Sequence, residues 1–294
     1  MNGKWLDDWK EILGWILGGA CAMALCLLAT FPYGALHERL IAELNRATGM
    51  DVRVADWTVG FPLGLEWRDI TLLKPEWGPI QLAFMEAKVG IARALGGGVG
   101  LDMVVRQNEA SRNSGLAKAT VTASSFSFAG PVVVKGQLQQ VDLSKVVRRY
   151  VSRGVLNGDF SHRVDHSQEM TGPIKGEGTW KVEARDLAIE QIPVGNGRRL
   201  SLEFTNVSAG LLCRDIQCEV MDLKGDGIDG SFKGEGSITV QQPMHNSQVA
   251  LTVTVVPGAG FISKADTLGL PPLLPGTPMT VRIVGTLAQA RIAL

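Results

Sequence analysis

The sequence predicts a mainly β protein, in which an N-terminal transmembrane helix precedes an antiparallel sheet domain with one or two short helices. Three observations predict this class. Residues 12–36 hold no charged side chain. From Val52 onward, apolar residues recur at every second position, which is typical of half-buried antiparallel strands. Glycine makes up 35 of the 294 residues and stands at the ends of predicted strands rather than in linkers.

The apolar run predicts a membrane anchor over residues 12–34, marked by Ile12, Trp15, Leu27 and Phe31. A helix of this length extends about 34 Å at ~1.5 Å per residue, which is enough to cross a bilayer core of ~30 Å. A cleavable signal peptide is the alternative. Its apolar region spans only about 7 to 15 residues before a small-x-small site, so the longer run favours an uncleaved anchor.

The orientation of the anchor is inferred from the domain that follows it. Basic residues lie on both sides of the apolar run, so the positive-inside rule does not decide the orientation. A large domain behind a lone N-terminal anchor is usually exported. We therefore predict a short cytoplasmic N-terminus over residues 1–11 and a periplasmic β-rich domain over residues 35–294.

Two helices are predicted after the anchor. Apolar residues at helical spacing over 36–47 predict the first, and Gly49 stands where a helix C-terminus favours a left-handed residue. The second is predicted to begin at a cap formed by Asp142 or Ser144 and to run through Val151.

The strands are predicted from the alternation of apolar and polar residues. The clearest apolar sets are Trp180, Val182 and Ala184; Leu200, Leu202 and Phe204; Val249, Leu251, Val253 and Val255; and Val281, Ile283 and Leu287. The pentapeptide Lys-Gly-Glu-Gly-Thr/Ser occurs at 175–179 and at 233–237. It indicates a weakly repetitive sheet in which glycine permits bends or the close approach of strands, with chance repetition as the alternative.

No catalytic, cofactor-binding or metal site is predicted. Residues 225–230 spell the dinucleotide-binding fingerprint, but an alternating strand follows where that motif needs a helix, so a turn between strands is expected. His162 and His166 have no cysteine nearby and lie in a polar segment, which favours a solvated turn over a zinc site. Nucleophile-elbow, phosphate-loop and zinc-protease motifs do not occur in the sequence. We therefore predict that the protein is not an enzyme and takes no cofactor.

The charge balance argues against a nucleic-acid partner. Lys and Arg together number 29, as do Asp and Glu, and the pI is near 6.9. A chain with no excess positive charge has no electrostatic attraction for the phosphate backbone.

Cys213 and Cys218 are the two cysteines outside the predicted anchor, and they flank four residues between two strand-like stretches. In an oxidising compartment they could close a hairpin disulfide. This requires the paired strands to bring the two Cα atoms to a separation of about 5.5 Å, and two free thiols are the alternative.

The order of these parts resembles two groups of envelope proteins. The opening of the sheet domain resembles the AsmA-like proteins, in the segments Val52-Arg53-Val54, Phe61-Pro62-Leu63-Gly64-Leu65 and Ile70-Thr71-Leu72. The C-terminal half resembles the type II secretion system protein N (GspN) family, in Gly210-Leu211-Leu212, the glycine-rich turn at 225–230, Gly236-Ser237-Ile238 and the late strand over 281–287. The resemblance covers most of the chain in order and length.

These resemblances imply two different functions. The GspN family implies a single-pass inner-membrane protein with an elongated, curved periplasmic sheet. Such a protein would bind other type II secretion components, namely the inner-membrane platform and the outer-membrane secretin. The AsmA-like proteins imply lipid binding or lipid transfer in a hydrophobic groove, with phospholipid as the partner. A continuous exposed apolar groove would favour the lipid function, whereas a patched surface with paired edges would favour assembly.

Overall fold

The computed structural model describes most of the chain outside the N-terminus. The described residues are 30–60, 64–74, 78–90, 97–108, 115–124, 130–165, 175–193, 199–241, 246–267, 276–287 and 289–293, with Trp15, Gly18, Gly19, Ala22, Met23 and Cys26. The chain divides into two compact units, Met1–Ala42 and Glu43–Leu294. The sheet lies within the second unit.

The predicted anchor falls largely outside the described residues. Ile12 and Leu27 are not described, whereas Trp15 and Phe31 have exposed side chains. The Phe31 ring meets the ring of Tyr33 edge-on, with the ring centroids 4.9 Å apart. Within the described residues, no helix has both the length and the apolar character needed to cross a membrane. The anchor over residues 12–34 therefore stays a prediction.

Helix α1 (Tyr33–Thr48) confirms the first predicted helix after the apolar run. Gly49 follows it with φ 65°, the left-handed conformation that glycine adopts readily, and its N–H donates to the Asn45 carbonyl at 2.9 Å. The Asn45 side chain accepts a hydrogen bond from the Val52 N–H, also at 2.9 Å. These hydrogen bonds fix the short connection between helix α1 and the first strand.

Within the described residues, fourteen antiparallel strands form one sheet, in which each strand pairs with its neighbours in the chain. They are β1 (Asp51–Gly60), β2 (Gly64–Lys74), β3 (Gly78–Val89), β4 (Val99–Arg106), β5 (Leu116–Ala123), β6 (Pro131–Asp142), β7 (Val151–Asp165), β8 (Lys175–Pro193), β9 (Arg199–Arg214), β10 (Gln217–Gly227), β11 (Gly230–Thr239), β12 (Gln248–Pro257), β13 (Met279–Thr286) and β14 (Gln289–Ala293). The prediction of a mainly β, antiparallel domain is confirmed.

The second predicted helix is much shorter than expected. Helix α2 (Leu143–Val146) is one turn, capped by Asp142, whose Oδ1 accepts a hydrogen bond from the Ser144 N–H at 3.0 Å. Its predicted extension through Val151 is wrong, because Val151 begins β7, is buried and pairs with Ile189 of β8. Burial of this β-branched side chain in the sheet outweighs its weak helix propensity.

A third helix, α3 (Ala259–Thr267), was not predicted from the sequence. It is held by an ion pair in which Lys264 Nζ lies 2.6 Å from Asp229 Oδ2, and the Asp229 side chain is fully buried. The same carboxylate oxygen accepts a hydrogen bond from the Glu203 N–H at 2.5 Å. Asp229 therefore joins α3 to the turn between β10 and β11 and to strand β9.

Candidate functional site: the apolar face of the sheet

One face of the sheet carries an uninterrupted row of apolar residues across its strands. Residues paired directly across antiparallel strands point to the same face, so the pairing registers identify this row. The central row, one residue from each strand β1 to β13, is Val59, Leu65, Ala87, Met103, Ala119, Gly136, Phe160, Trp180, Leu211, Val220, Gly236, Leu251 and Ile283. We call the face to which it points the apolar face.

Rows on both sides of the central row extend the apolar face. The flanking row from β1 to β9 is Trp57, Trp67, Met85, Val105, Ala117, Leu138, Gly158, Val182 and Ala209. The outer row from β3 to β13 is Val89, Leu101, Val121, Val134, His162, Gly178, Cys213, Cys218, Ile238, Val249 and Gly285. Three adjacent rows make the apolar face a continuous surface.

The opposite face, which we call the polar face, carries the charged and hydroxyl side chains. On β8 it holds Lys181, Glu183 and Arg185, as the sequence alternation predicts. The Glu183 carboxylate accepts a hydrogen bond from Arg185 Nε at 2.9 Å and raises the pKa of that guanidinium. On β3, Glu86 pairs with Lys88 and raises the pKa of the ammonium group above its ordinary value. The polar face therefore carries the charged side chains, together with some aliphatic ones such as Val104 and Val133.

In several strands the alternation of apolar and polar residues shifts by one position. Residues with positive φ lie at these shifts and keep the apolar face continuous. In β2, Leu65 and Trp67 are buried, then Arg68 and Asp69 are both exposed, and Ile70 is buried. Asp69 has φ 50°, so two successive residues point away from the apolar face. Gln140, Asp186 and Asp222 also have positive φ, and register shifts accompany Gln140 and Asp222. At Asp69, Gln140 and Asp186 the sequence signal is a pair of consecutive polar residues inside an alternating strand, whereas Asp222 follows the exposed Met221.

Glycines on the apolar face make room for rings on neighbouring strands. A Cβ at Gly136 would meet the Phe160 ring, and one at Gly178 would meet the imidazole of His162. The Phe160 ring stacks on Trp180, with the ring centroids 4.6 Å apart. In both repeated pentapeptides the two glycines face the apolar side, while the glutamate faces the polar side. At most of these glycines a Cβ would overlap a ring or a backbone carbonyl of the neighbouring strand, whereas the weak repeat itself stays a prediction.

Burial differs along the apolar face. At its closed end, formed by β2 and β3, Leu65, Trp67 and Ile70 are at most 2% exposed. Along the half-open stretch, formed by β4 to β7, nearly all apolar-face side chains are only half-buried. Among the described elements, packing beyond neighbouring strands is confined mainly to α2 against β3 and β7 and to α3 against β11. The half-open stretch therefore presents apolar side chains to its surroundings.

His162 lies within the outer row, on β7. The expectation of a solvated turn is wrong for this residue, because its strand continues to Asp165, whereas His166 lies outside the described residues. On the described apolar face, His162 is the one titratable side chain, and its imidazole has no hydrogen bond or ion pair within the described part of the chain. Sequence reasoning missed its position because the segment around it is polar and holds few apolar residues to mark the alternation.

The remaining predicted positions are also placed by the structure. Cys213 and Cys218 face each other across β9 and β10 as a disulfide, with an S–S distance of 2.06 Å and Cα atoms 3.9 Å apart. The Gly225 to Gly230 segment forms the predicted turn, since β10 ends at Gly227 and β11 begins at Gly230. No group of three or more His, Cys, Asp or Glu side chains among the described residues is arranged to hold a metal ion.

Comparison with protein-family models, curated proteins and solved structures found no match to this chain. Its resemblances to the GspN family and to the AsmA-like proteins therefore stay predictions.

Proposed function

We propose that this chain is a non-enzymatic lipid-binding protein of the cell envelope, in which the apolar face of the sheet carries acyl chains. The observation that supports the proposal most strongly is the continuity of the apolar rows across the strands, combined with their half-burial along the half-open stretch. Contiguous apolar surface of this kind marks an interaction site rather than an ordinary solvated face.

Acyl chains match this surface chemically. A hydrocarbon chain needs no hydrogen-bond partner, and the rows of the half-open stretch offer Val, Leu, Met and Ala side chains. Each methylene group that leaves water contributes about 0.8 kcal/mol, so a long chain gains free energy along its whole length. The charged polar face keeps the other side of the sheet compatible with water.

The location of the protein is part of the same proposal. Residues 12–34 hold the chain in the inner membrane, and the sheet lies in the periplasm, where it can take lipid from the outer leaflet. The curvature that the family resemblance implies would deepen the apolar face into a groove.

Site-specific photocrosslinking tests the proposal. p-Benzoylphenylalanine is placed at Leu101, which is half-buried on the apolar face of β4, or at its exposed neighbour Asp102, which points to the polar face. After irradiation of intact cells, we expect covalently attached lipid by mass spectrometry at position 101 and little at position 102. Equal labelling at both positions, or none at position 101, would contradict the proposal.

Assembly within the type II secretion machinery is the second candidate function. The two edge strands of the sheet favour it. Within the described residues, β1 and β14 each pair with a neighbouring strand along one edge only. An unpaired strand edge can add a strand from another protein through backbone hydrogen bonds. Affinity purification from detergent-solubilised envelope separates the candidates, because recovery of the platform or the secretin without enriched lipid would support assembly.

A further inference from the structure

The position of His162 indicates which class of lipid the apolar face binds. Its imidazole lies among hydrocarbon side chains, with Val134 of β6 directly opposite on one side and Gly178 of β8 on the other. Because a Cβ at position 178 would overlap the ring, the missing side chain of Gly178 is what lets the imidazole lean toward β8. The imidazole is thus the one titratable group on the described apolar face, whose other polar side-chain groups are the indole N–H donors of Trp57, Trp67 and Trp180.

The charged groups near His162 point away from it. Arg163 follows His162 on β7, Lys135 lies on β6 and Glu177 lies on β8, and all three are exposed on the polar face. The ring nitrogens of His162 therefore have no competing partner from these strands. An imidazole in this setting can donate a hydrogen bond to a ligand oxygen, and an anionic oxygen makes the stronger bond.

Burial determines in which direction along the outer row the hydrocarbon tail of a ligand bound at His162 can lie. Beyond Gly178, the outer row continues into Cys213 and Cys218, which are 4% and 6% exposed. In the other direction, Val134, Val121 and Leu101 are half-buried, and Val89 is 38% exposed. Four strand intervals from β7 to β3 span about 19 Å at ~4.8 Å each, which accommodates most of an extended long acyl chain.

We propose, building on the lipid-binding function above, that the preferred ligand is a long-chain fatty acid. Its carboxylate accepts a hydrogen bond from His162, and its tail lies along the outer row over Val134, Val121 and Leu101. One imidazole complements a single carboxylate. The zwitterionic headgroup of a phospholipid would need further polar partners, and the described apolar face offers no other titratable side chain.

Tryptophan quenching by brominated lipids tests this assignment, because Trp57, Trp67 and Trp180 share the apolar face. The full chain, held in amphipol, is titrated with 9,10-dibromostearic acid and separately with the corresponding dibromo-octadecanol. We expect the acid to bind about tenfold more tightly, the ratio that one charge-assisted hydrogen bond supports. His162→Phe should make the two affinities equal while quenching persists.

Two further variants separate the headgroup contact from the tail contact. Gly178→Ala should displace the imidazole and remove the preference for the acid without removing the histidine, so the test does not depend on one variant's folding. Leu101→Gln should weaken acid and alcohol alike, whereas Asp102→Gln on the polar face should weaken neither.

The outcomes distinguish this assignment from the general lipid function. If wild type binds acid and alcohol equally, or His162→Phe keeps the preference, the role of His162 is overturned while lipid binding stands. If neither lipid quenches the wild-type protein, both the assignment and the proposed lipid function fail.

Discussion

The closed end and the half-open stretch of the apolar face are built from the same kind of sequence but differ in burial. Leu65 of β2 is 2% exposed, whereas Leu101 of β4, on the same face, is only half-buried. Both belong to apolar rows that run continuously across the strands. The comparison teaches that alternation determines which face a side chain joins, whereas its burial depends on what else packs there. One part of the face serves as a core and the other as a surface.

Truncation of one leucine in each region should give the largest contrast. Leu65→Ala should lower the free energy of unfolding by about 3 to 4 kcal/mol, because it leaves a cavity that its neighbours cannot fill. Leu138→Ala, on the half-buried apolar face of β6, should cost about 1 kcal/mol, since solvent already reaches that side chain. Urea denaturation followed by circular dichroism measures both, and equal losses would remove the distinction between the two regions.

The cost of glycine substitutions should depend on local backbone contacts rather than on the difference in burial between the two regions. Gly236→Ala, in β11, places a methyl group against the Ala250 carbonyl and at φ +155°, so we expect a loss of about 2 kcal/mol. Gly64→Ala, in β2, meets the Ala87 carbonyl at 3.0 Å and should cost about half as much. The same denaturation experiment tests the order, and a more stable Gly236→Ala protein would show that strand β12 can shift away.

The ion pair that fixes α3 should contribute less. Asp229→Asn keeps the size of the buried side chain but removes the charge that Lys264 meets, so we expect a loss of about 1 to 2 kcal/mol. Glu203→Gln is the matched control, because its carboxylate is 47% exposed and lies 3.9 Å from the same ammonium group. It should cost less than about 0.5 kcal/mol. Similar melting temperatures for the two variants would contradict the proposal that the ion pair between Asp229 and Lys264 fixes α3.

The smallest expected effect belongs to a surface ion pair at the closed end. Glu86 raises the pKa of Lys88, so the pair stabilises the fold fully below the ordinary lysine pKa. The contribution disappears as pH rises through the raised pKa of the folded state. Because Lys88 is 45% exposed, Lys88→Met should change stability by less than about 0.5 kcal/mol at neutral pH. The unfolding midpoints of the wild-type and Lys88→Met proteins should converge as the pH is raised from neutral to strongly alkaline.

The sequence predicted the fold class because alternation is a local property. The strands around Trp180, Leu251 and Ile283 lie on the predicted face, and the turn near Gly227 lies where expected. Helix α3 was missed because its best-defined interaction joins Lys264 to Asp229, 35 residues apart, and no local pattern records that distance.

The candidate site was predicted only in part. A hydrophobic groove was expected under one of two hypotheses, but the rows that make up the apolar face were not identified in advance. The reason is physical: phase changes at Asp69, Asp186 and Asp222 move the apolar positions from odd to even numbers, or the reverse, within one strand. Without the strand registers, neither the rows nor the place of His162 within them can be read from spacing alone.

The strictly sequential order of the strands has a consequence for folding kinetics. Among the described strands, each pairing joins segments that are adjacent in the chain, so each strand meets its partner soon after it is synthesised. Contacts of short sequence separation close with little loop entropy and form quickly. A chain that folds as its N-terminus emerges during synthesis could therefore add one hairpin after another to the growing sheet edge. The last edge strand would always be the one exposed to misassociation until its successor arrives.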